Sequence, residues 1–597
     1  MSPSRLLAVA LCLCLAVAAR AADEDLTVLK GDGDVSPRKM LYTYLQGEAK
    51  KHFDARRKAV AALKTPEDVR RRQKELRQKF VAALGGFPEK TPLSARVVGT
   101  LKGDGFRVEK VIYESRPRHH VTANFYLPEG KGPFPGVLVP CGHSANGKAA
   151  EAYQRACILM AKNGLAVLCY DPIGQGERVQ LLDRQGKPAI AGSTSEHTMV
   201  GAGALLVGTS AATYRIWDGI RSLDYLASRP EVDPKRLGCT GNSGGGTLTA
   251  YLMALDDRIV AAAPSCYVTT LERLFATIGP QDAEQNITGQ VAFGMEQTDY
   301  VTMRAPRPTL ICTATQDFFD IQGSWTTFRE AKLQYGLLGH GERVDLFEYN
   351  DKHGFSKPRR EAAMRWMRRW LLNKDDAPAE EDFPIFKDAE LQCTRTGQVL
   401  EDLRGKSAFD LNVDRLGLLA IARTKDPYDP PDAATVRRLL ALPERASPAK
   451  LSEAGQVQRT GHVIRKLVFE TEPGIRAPAL YFVPQKGNGP LPLVLYLNGE
   501  GKAAAARPGG PIEKLVRAGH RVLALDLRGT GETAPGTVPP NRPNYFGVEW
   551  KEAFLGLHLN RPLLGQRVLD VLAVLERVRA DRMADAVALH GVGSACP

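Results

Sequence analysis

Ser243 is the residue whose setting most plainly offers chemistry. It stands in Gly241-Asn242-Ser243-Gly244-Gly245, and a serine in Gly-x-Ser-x-Gly becomes a nucleophile when a sharp strand-to-helix turn lifts its hydroxyl out of the fold. The N–H of Gly244 then faces whatever Ser243 attacks. A serine nucleophile also needs a base and an acid that orients the base, and after such an elbow the acid comes first and the histidine second. Between Ser243 and the charged segment that begins near residue 375, only His340 and His353 are available. His353 follows the apolar run 343–349, where a loop could carry its imidazole over Ser243, whereas His340 precedes that run. For the acid, Ala314-Thr-Gln-Asp-Phe-Phe-Asp320 offers two carboxylates. Asp317 comes first after the strand, and Asp320 suits the cap of a helix starting near Gly323. The second oxyanion donor, beside Gly244 N–H, is expected from the backbone N–H of His143 in Pro140-Cys-Gly-His-Ser144, since acyl transfer gains most from fixed donors aimed at the developing charge.

These groups need a scaffold, and the hydrophobic pattern supplies one. Residues 36–84 read as two helices. From Phe106 the pattern turns to strands: 106–115 and 121–127 as a hairpin, then 136–140, 165–170 and 237–240, with helices at 151–163 and 213–227 between them. After the elbow come a helix at 247–255, strands at 308–314 and 343–349, a helix at 324–335, and a closing helix at 358–372 whose Trp366 and Trp370 read as core anchors. Strands alternating with helices predict a mostly parallel sheet covered on both faces.

The pattern then starts again. Lys110-Val-Ile-Tyr-Glu114 is echoed by Lys466-Leu-Val-Phe-Glu470, Phe125-Tyr-Leu-Pro128 by Tyr481-Phe-Val-Pro484, and Tyr170-Asp-Pro-Ile-Gly-Gln-Gly-Glu177 by Leu525-Asp-Leu-Arg-Gly-Thr-Gly-Glu532. Matched blocks lie roughly 350 residues apart, the signature of an internal duplication. Aligning the two elbows sets Gly241-Asn-Ser-Gly-Gly245 on Gly591-Val-Gly-Ser-Ala595, which puts Gly593 at the nucleophile position and Ser594 one residue late. The chain stops at Pro597, so the second unit is expected to be incomplete and catalytically silent, with an exposed apolar edge at 586–590. The expected organisation is a signal peptide at 1–21, a helical extension at 22–105, a catalytic domain at 106–374, a linker with some helix at 375–455, and the second unit at 456–597.

The elbow, Asp171-Pro-Ile-Gly-Gln-Gly176, Asp317 and His353-Gly354-Phe355 together resemble the acetyl xylan esterase and cephalosporin-C deacetylase family of the α/β-hydrolase superfamily. They resemble dienelactone hydrolases and prolyl-oligopeptidase-like peptidases more distantly. The resemblance covers about residues 100–372 and, more weakly, 460–597. It implies a duplicated α/β-hydrolase fold and an esterase acting on carbohydrate esters through an acyl-enzyme. That family usually has Arg-Gly-Gln where this chain has Ile173-Gly174-Gln175, and Gln where it has Gly244. Two other readings compete. A prolyl-oligopeptidase-type peptidase would carry a repeated-blade propeller ahead of the hydrolase unit, for which 22–105 is too short and too helical. A non-catalytic polysaccharide- or protein-binding module would not need the Ser, Asp, His order of the first unit.

The remaining features bound the partners. Arg5, the apolar run 6–18 and Ala19-Arg20-Ala21 form a secretory leader, so the protein is expected to be exported, periplasmic or extracellular. No later stretch is apolar enough to span a bilayer. The net charge of +13 admits an acidic polysaccharide, but acidic residues interleave the basic clusters at 56–58 and 70–79 as on solvated helix faces, and nucleic acid is not an expected partner. The expected partners are a small-molecule or polysaccharide ester and, within the chain, the two hydrolase units packing on each other. Of ten cysteines, those in strand-like runs read as small buried hydrophobes. Glu196-His197, in the insertion 180–210, are candidates to line the substrate cleft or, equally, a hydrogen-bonded pair that stabilises a loop. His119-His120 read as an exposed hairpin tip. No His, Cys and carboxylate set shows ligand spacing, so neither metal nor cofactor is expected.

Overall fold

The computed structural model describes residues 24–30, 35–425, 431–485, 491–536 and 545–595. The leader expected at 1–21 lies outside the described residues. The chain forms two compact units: Leu45–Asp432 with Trp550–Arg561, and Met1–Tyr44 with Ala433–Glu549 and Pro562–Pro597.

Helices α1 (Pro37–Ala61) and α2 (Pro66–Ala83) come first among the described residues. The larger unit is then built on a nine-stranded sheet of β1 (Arg96–Lys102), β2 (Phe106–Arg116), β3 (His119–Pro128), β4 (Phe134–Pro140), β5 (Ala166–Tyr170), β6 (Val232–Asn242), β7 (Ile259–Ser265), β8 (Thr309–Gln316) and β9 (Val344–Lys352). Their spatial order is β1-β2-β3-β5-β4-β6-β7-β8-β9. β1, β2 and β3 pair antiparallel, β3 meets β5 antiparallel, and from β5 to β9 every pairing is parallel. The connections are α3 (Glu151–Lys162), α4 (Ser193–Leu206), α5 (Ala211–Ser228), α6 (Gly244–Leu255), α7 (Ile321–Leu337) and α8 (Lys357–Met367). One face of the sheet packs Val137, Val139, Val167 and Ala261 against Ala156 and Leu159 of α3 and Met364 and Trp366 of α8. Parallel strands covered on both faces need near-continuous apolar runs, which is what these strands carry.

Three elements depart from the sequence expectation. β1 forms inside a segment read as helical, paired along β2. β7, Ile-Val-Ala-Ala-Ala-Pro-Ser, has an alanine- and proline-rich sequence of weak strand preference, yet it is buried between β6 and β8. The insertion 180–210, read as a loop, contains the full helix α4.

In the second unit, β10 (Lys450–Arg459), β11 (His462–Glu472), β12 (Ile475–Pro484), β13 (Leu493–Asn498), β14 (Arg521–Leu525) and β15 (Val587–Val592) form a sheet in the order β10-β11-β12-β14-β13-β15. That path repeats β1 to β6. The duplication extends to defects and charges. Register shifts fall at Val97/Gly99 and Glu453/Gly455, and again at Glu114/Arg116 and Glu470/Glu472. In the first unit buried Lys148 Nζ lies 2.6 Å from Asp171 and 2.5 Å from Glu177. In the second, buried Lys502 joins Asp526 at 2.9 Å and also contacts Glu532. The echoed Asp-to-Glu motif is therefore a charge clamp beneath a loop, which explains its repetition in both units. Leu237 pairs with Gly136 as Val587 pairs with Leu493, a register that sets Gly593 opposite Ser243 in the repeat. Gly593 has φ +64°, and Val587 and Leu589 of β15 are exposed.

Candidate active site

Ser243 sits between β6 and α6 with φ +58° and ψ −124°, a conformation that costs a non-glycine residue strain and persists only where packing imposes it. The packing is visible. A Cβ on Gly241 would lie 2.6 Å from Pro140 O and 2.8 Å from Gly245 O, so strand, turn and helix close only on glycine. A Cβ on Gly142 would lie 3.1 Å from Ser243 Cβ, which puts the backbone leading into His143 against the serine. Gly244 N–H opens α6, where unpaired amides and the helix dipole favour negative charge.

The ends of β8 and β9 carry the other two groups. Asp317 is 2.9 Å through Oδ1 and 3.0 Å through Oδ2 from His353 Nδ1, and its side chain is almost fully buried. Asp320 faces elsewhere. It caps α7 by accepting from Gln322 N–H at 2.8 Å and Gly323 N–H at 3.3 Å, and it pairs with Arg273. His340 lies near Glu342 before β9.

The elbow and the histidine loop meet through the side chain of Asn242. Ser243 N–H donates to Ser265 O at 2.9 Å. Asn242, with its amide nitrogen turned to Gly354 O at 3.1 Å and Ser265 Oγ at 3.0 Å, bridges the elbow to the residue after His353. No hydrogen bond between the Ser243 hydroxyl and the His353 ring is formed among the described residues. Catalytic hydrogen bonds of this kind are often long without substrate. Cys266 has its Sγ within 4.8 Å of ligand atoms of both Asp317 and His353. Burial, and then the Asp317 charge, push its thiol up to about 12, so it remains a protonated neighbour, not a rival nucleophile. Phe318, 46% exposed, holds its ring 4.3 Å from the His353 ring centroid and gives the site an open aromatic face.

Glu196 and His197 both lie on α4 and are both buried, but they are not bonded to each other as a pair. Glu196 Oε1 accepts from Gln180 N–H and Leu181 N–H at 3.0 and 2.9 Å. His197 instead joins His143, Asp282 and Glu284. Its Nδ1 is 3.1 Å from Glu284 and 3.2 Å from Asp282, and Nε2 donates to Ile173 O at 2.7 Å. Arg215 of α5 reaches Glu284 at 2.6 Å. Burial pushes the His143 imidazole down, but Asp282 and Glu284 outweigh it and lift it to about 9. Asp282, Glu284 and Arg215 had no sequence signal, because the cluster draws on four segments far apart in the chain. The expectation for His119 is corrected outright. The ring is 2% exposed, bonded to Lys406 O at 2.7 Å and Arg178 at 2.9 Å, and burial lowers its pKa to about 4. The seven described cysteines of the larger unit are free and buried, and among the described residues no helix is long and apolar enough to cross a membrane.

Sheet order, elbow and the groups at the ends of β8 and β9 define the class: an α/β-hydrolase fold, and a serine hydrolase. Two family models agree with that class. The acetyl xylan esterase family model matches residues 100–289, and the prolyl oligopeptidase family model matches residues 206–374. YtaP of Bacillus subtilis (strain 168), provisionally named a hydrolase, is 26% identical over 314 residues, covering 50% of this chain and 99% of that protein. Among solved structures, methylesterase BT1017 aligns with a TM-score of 0.49 at 23% identity, covering 63% of this chain and 80% of that one. A glucuronoyl esterase from Solibacter usitatus aligns with a TM-score of 0.37 at 16% identity, covering 50% and 91%.

Proposed function

We propose that the chain is an exported carboxylic ester hydrolase acting on carbohydrate esters, with Ser243 as nucleophile, His353 as base and Asp317 as the acid that orients it. The observation that carries the reading is the Asp317–His353 pair at the ends of adjacent strands, beside a strained serine at the head of α6. Ser243 Oγ attacks the ester carbonyl while His353 Nε2 takes its proton, and Asp317 holds the imidazolium that forms. Gly244 N–H and His143 N–H receive the oxyanion. His353 then protonates the departing alcohol, and water repeats the sequence to free the acid and the serine. The family model that spans the oxyanion loop and the elbow supports an acetyl-type ester, and the open face of Phe318 suits stacking against a sugar ring. The second family model supports a peptidase reading of the same residues.

A fluorophosphonate probe should label Ser243, identified by peptide mass spectrometry, and acetyl, feruloyl and methyl-glucuronate esters assayed beside a prolyl peptide substrate should show turnover only among the esters. Ser243→Ala and His353→Ala should each lower that turnover by about 10⁴- to 10⁶-fold, because such residues fail as a unit. Retained activity in Ser243→Ala would overturn the assignment, and cleavage of the peptide alone would replace the esterase by the peptidase.

A further inference from the structure

Beside the elbow, His143, His197, Asp282 and Glu284 converge from the β4 exit, from α4 and from the segment before Gln285, with one ligand atom of each lying within 4.8 Å of the others. Among those atoms His143 Nε2 to His197 Nδ1 is 3.2 Å, to Asp282 Oδ2 3.1 Å and to Glu284 Oε1 2.8 Å, and His197 Nδ1 to the same carboxylates is 3.2 and 3.1 Å. Four ligands around a tetrahedral ion at about 2.05 Å stand about 3.3 Å apart. The set is thus nearly drawn up around a common centre.

The hydrogen-bond logic points the same way. Ile173 O can only accept, so His197 Nε2 carries the proton and the neutral ring turns the Nδ1 lone pair toward two carboxylate oxygens. That tautomer leaves Nδ1 with a lone pair, the form in which an imidazole ligates, and Arg215 Nη1 donates to it at 2.8 Å. Glu284 is 1% exposed with Oε2 unpartnered, and Nε2 of His197 on a backbone carbonyl is how a ligating imidazole is held from outside. Arg215, at 2.6 Å from Glu284 Oε1, braces that carboxylate in the same manner.

We propose that these four residues bind a divalent transition-metal cation, with Zn²⁺ the matching probe: two imidazoles and two carboxylates in a tetrahedral set suit it by donor type and geometry. Four protein ligands close the site, so the ion positions the active site and leaves the carbonyl to the amides. It ties α4 and the Asp282–Glu284 segment to His143, whose backbone leads past Ser243. The two departures from the acetyl xylan esterase pattern, Ile173 and Gly244, fall at this place, Ile173 through the carbonyl that accepts from His197 Nε2. A Cβ on Gly244 would lie 2.7 Å from His143 Cε1, and one on Gly174 would lie 3.0 Å from His197 Nε2. The inference is independent of which ester is cleaved.

The test uses the full chain. Protein purified without chelator is assayed for metal by plasma mass spectrometry, then stripped and titrated with Zn²⁺ by calorimetry. Crystals soaked in Zn²⁺ are measured at the zinc edge. The expected result is one equivalent bound with an apparent Kd below about 1 µM, and an anomalous peak among the four side chains. His197→Gln and Asp282→Asn should weaken binding beyond the roughly 10- to 100-fold that loss of an outer partner costs, and His340→Gln should leave it unchanged. Wild-type protein that takes up no Zn²⁺ at 100-fold excess, an anomalous peak elsewhere, or folded His197→Gln that binds as well as wild type would overturn the proposal and leave a cluster neutralised by protons and Arg215 alone. Variants that fail to fold leave the decision to the wild-type stoichiometry and the peak position.

Discussion

Gly244→Ala adds one methyl group at the most crowded point of the candidate site. The new Cβ would stand 2.7 Å from His143 Cε1, 2.9 Å from Nδ1 and 3.1 Å from Nε2, whereas ordinary carbon contacts begin near about 3.4 Å, so the ring must retreat by about 0.7 Å. Retreat is blocked, because Nε2 is held on its far side by Glu284 at 2.8 Å and Asp282 at 3.1 Å. The displacement therefore passes into the backbone at 142–144 and into the first turn of α6, the two proposed sources of oxyanion donors. A misplacement approaching 1 Å costs about 10²-fold in rate, and loss of one donor about 10²- to 10³-fold. The expected outcome is a kcat about 10²-fold lower with KM changed less than about threefold, because donors aimed at the oxyanion act mainly in the transition state. Overpacking of this kind costs about 1–3 kcal/mol, so the thermal midpoint should fall by a few degrees while kcat falls far more than that loss of stability accounts for. Steady-state hydrolysis of p-nitrophenyl acetate measures the effect. Gly336→Ala in α7, where an added Cβ meets nothing within 4 Å, is the control. A Gly244→Ala enzyme with kcat within threefold of wild type would refute the argument that His143 and the head of α6 are packed into one working unit.

Other perturbations separate chemistry from support. Asp317→Asn should lose more than about 10³-fold in kcat by favouring the wrong imidazole tautomer, while Asp320→Asn should keep its activity and at most lose part of a cap worth about 1 kcal/mol; the reverse ranking by kinetics and thermal melts would move the acid to Asp320. Lys148→Met should destabilise the larger unit by about 3–5 kcal/mol in denaturant titration by leaving Asp171 and Glu177 as buried, unpaired charges, and a loss below about 1 kcal/mol would refute the clamp. Burial raises the Glu296 carboxyl to about 7, so the stability of its neutral form is complete below its unfolded pKa near about 4.5 and is lost as pH climbs through 7. Glu296→Gln should therefore melt above wild type at pH 8 and close to it at pH 4.5, and a gap that does not widen with pH would sink the linkage. Ser594→Ala should leave ester turnover unchanged, since Gly593 occupies the elbow position of the second unit. Turnover lost in that variant would show the second unit to be catalytic.

What the sequence determined by itself is local. The Gly-x-Ser-x-Gly turn, the hydrophobic runs of β2 to β6 and the echo of Tyr170 to Glu177 in Leu525 to Glu532 depend on neighbours in the chain, and each is found where the residues put it. The placement of Ser243, Asp317 and His353 just past the ends of three strands was legible, because strand ends in a parallel sheet share one edge. What only the tertiary structure decided involves residues whose partners are distant. β7 is a strand because β6 and β8 cover an alanine-rich run that has little preference of its own. His119, at a hairpin that sequence alone leaves in solvent, is buried because Lys406 and Arg178 close over it. The His143, His197, Asp282 and Glu284 cluster has no spacing to recognise, since its members are brought together by the exit of β4, the inserted helix and a segment beyond β7. Periodicity reports which face of an element is apolar. It carries no information about which polar groups from separate elements will meet once those faces are packed.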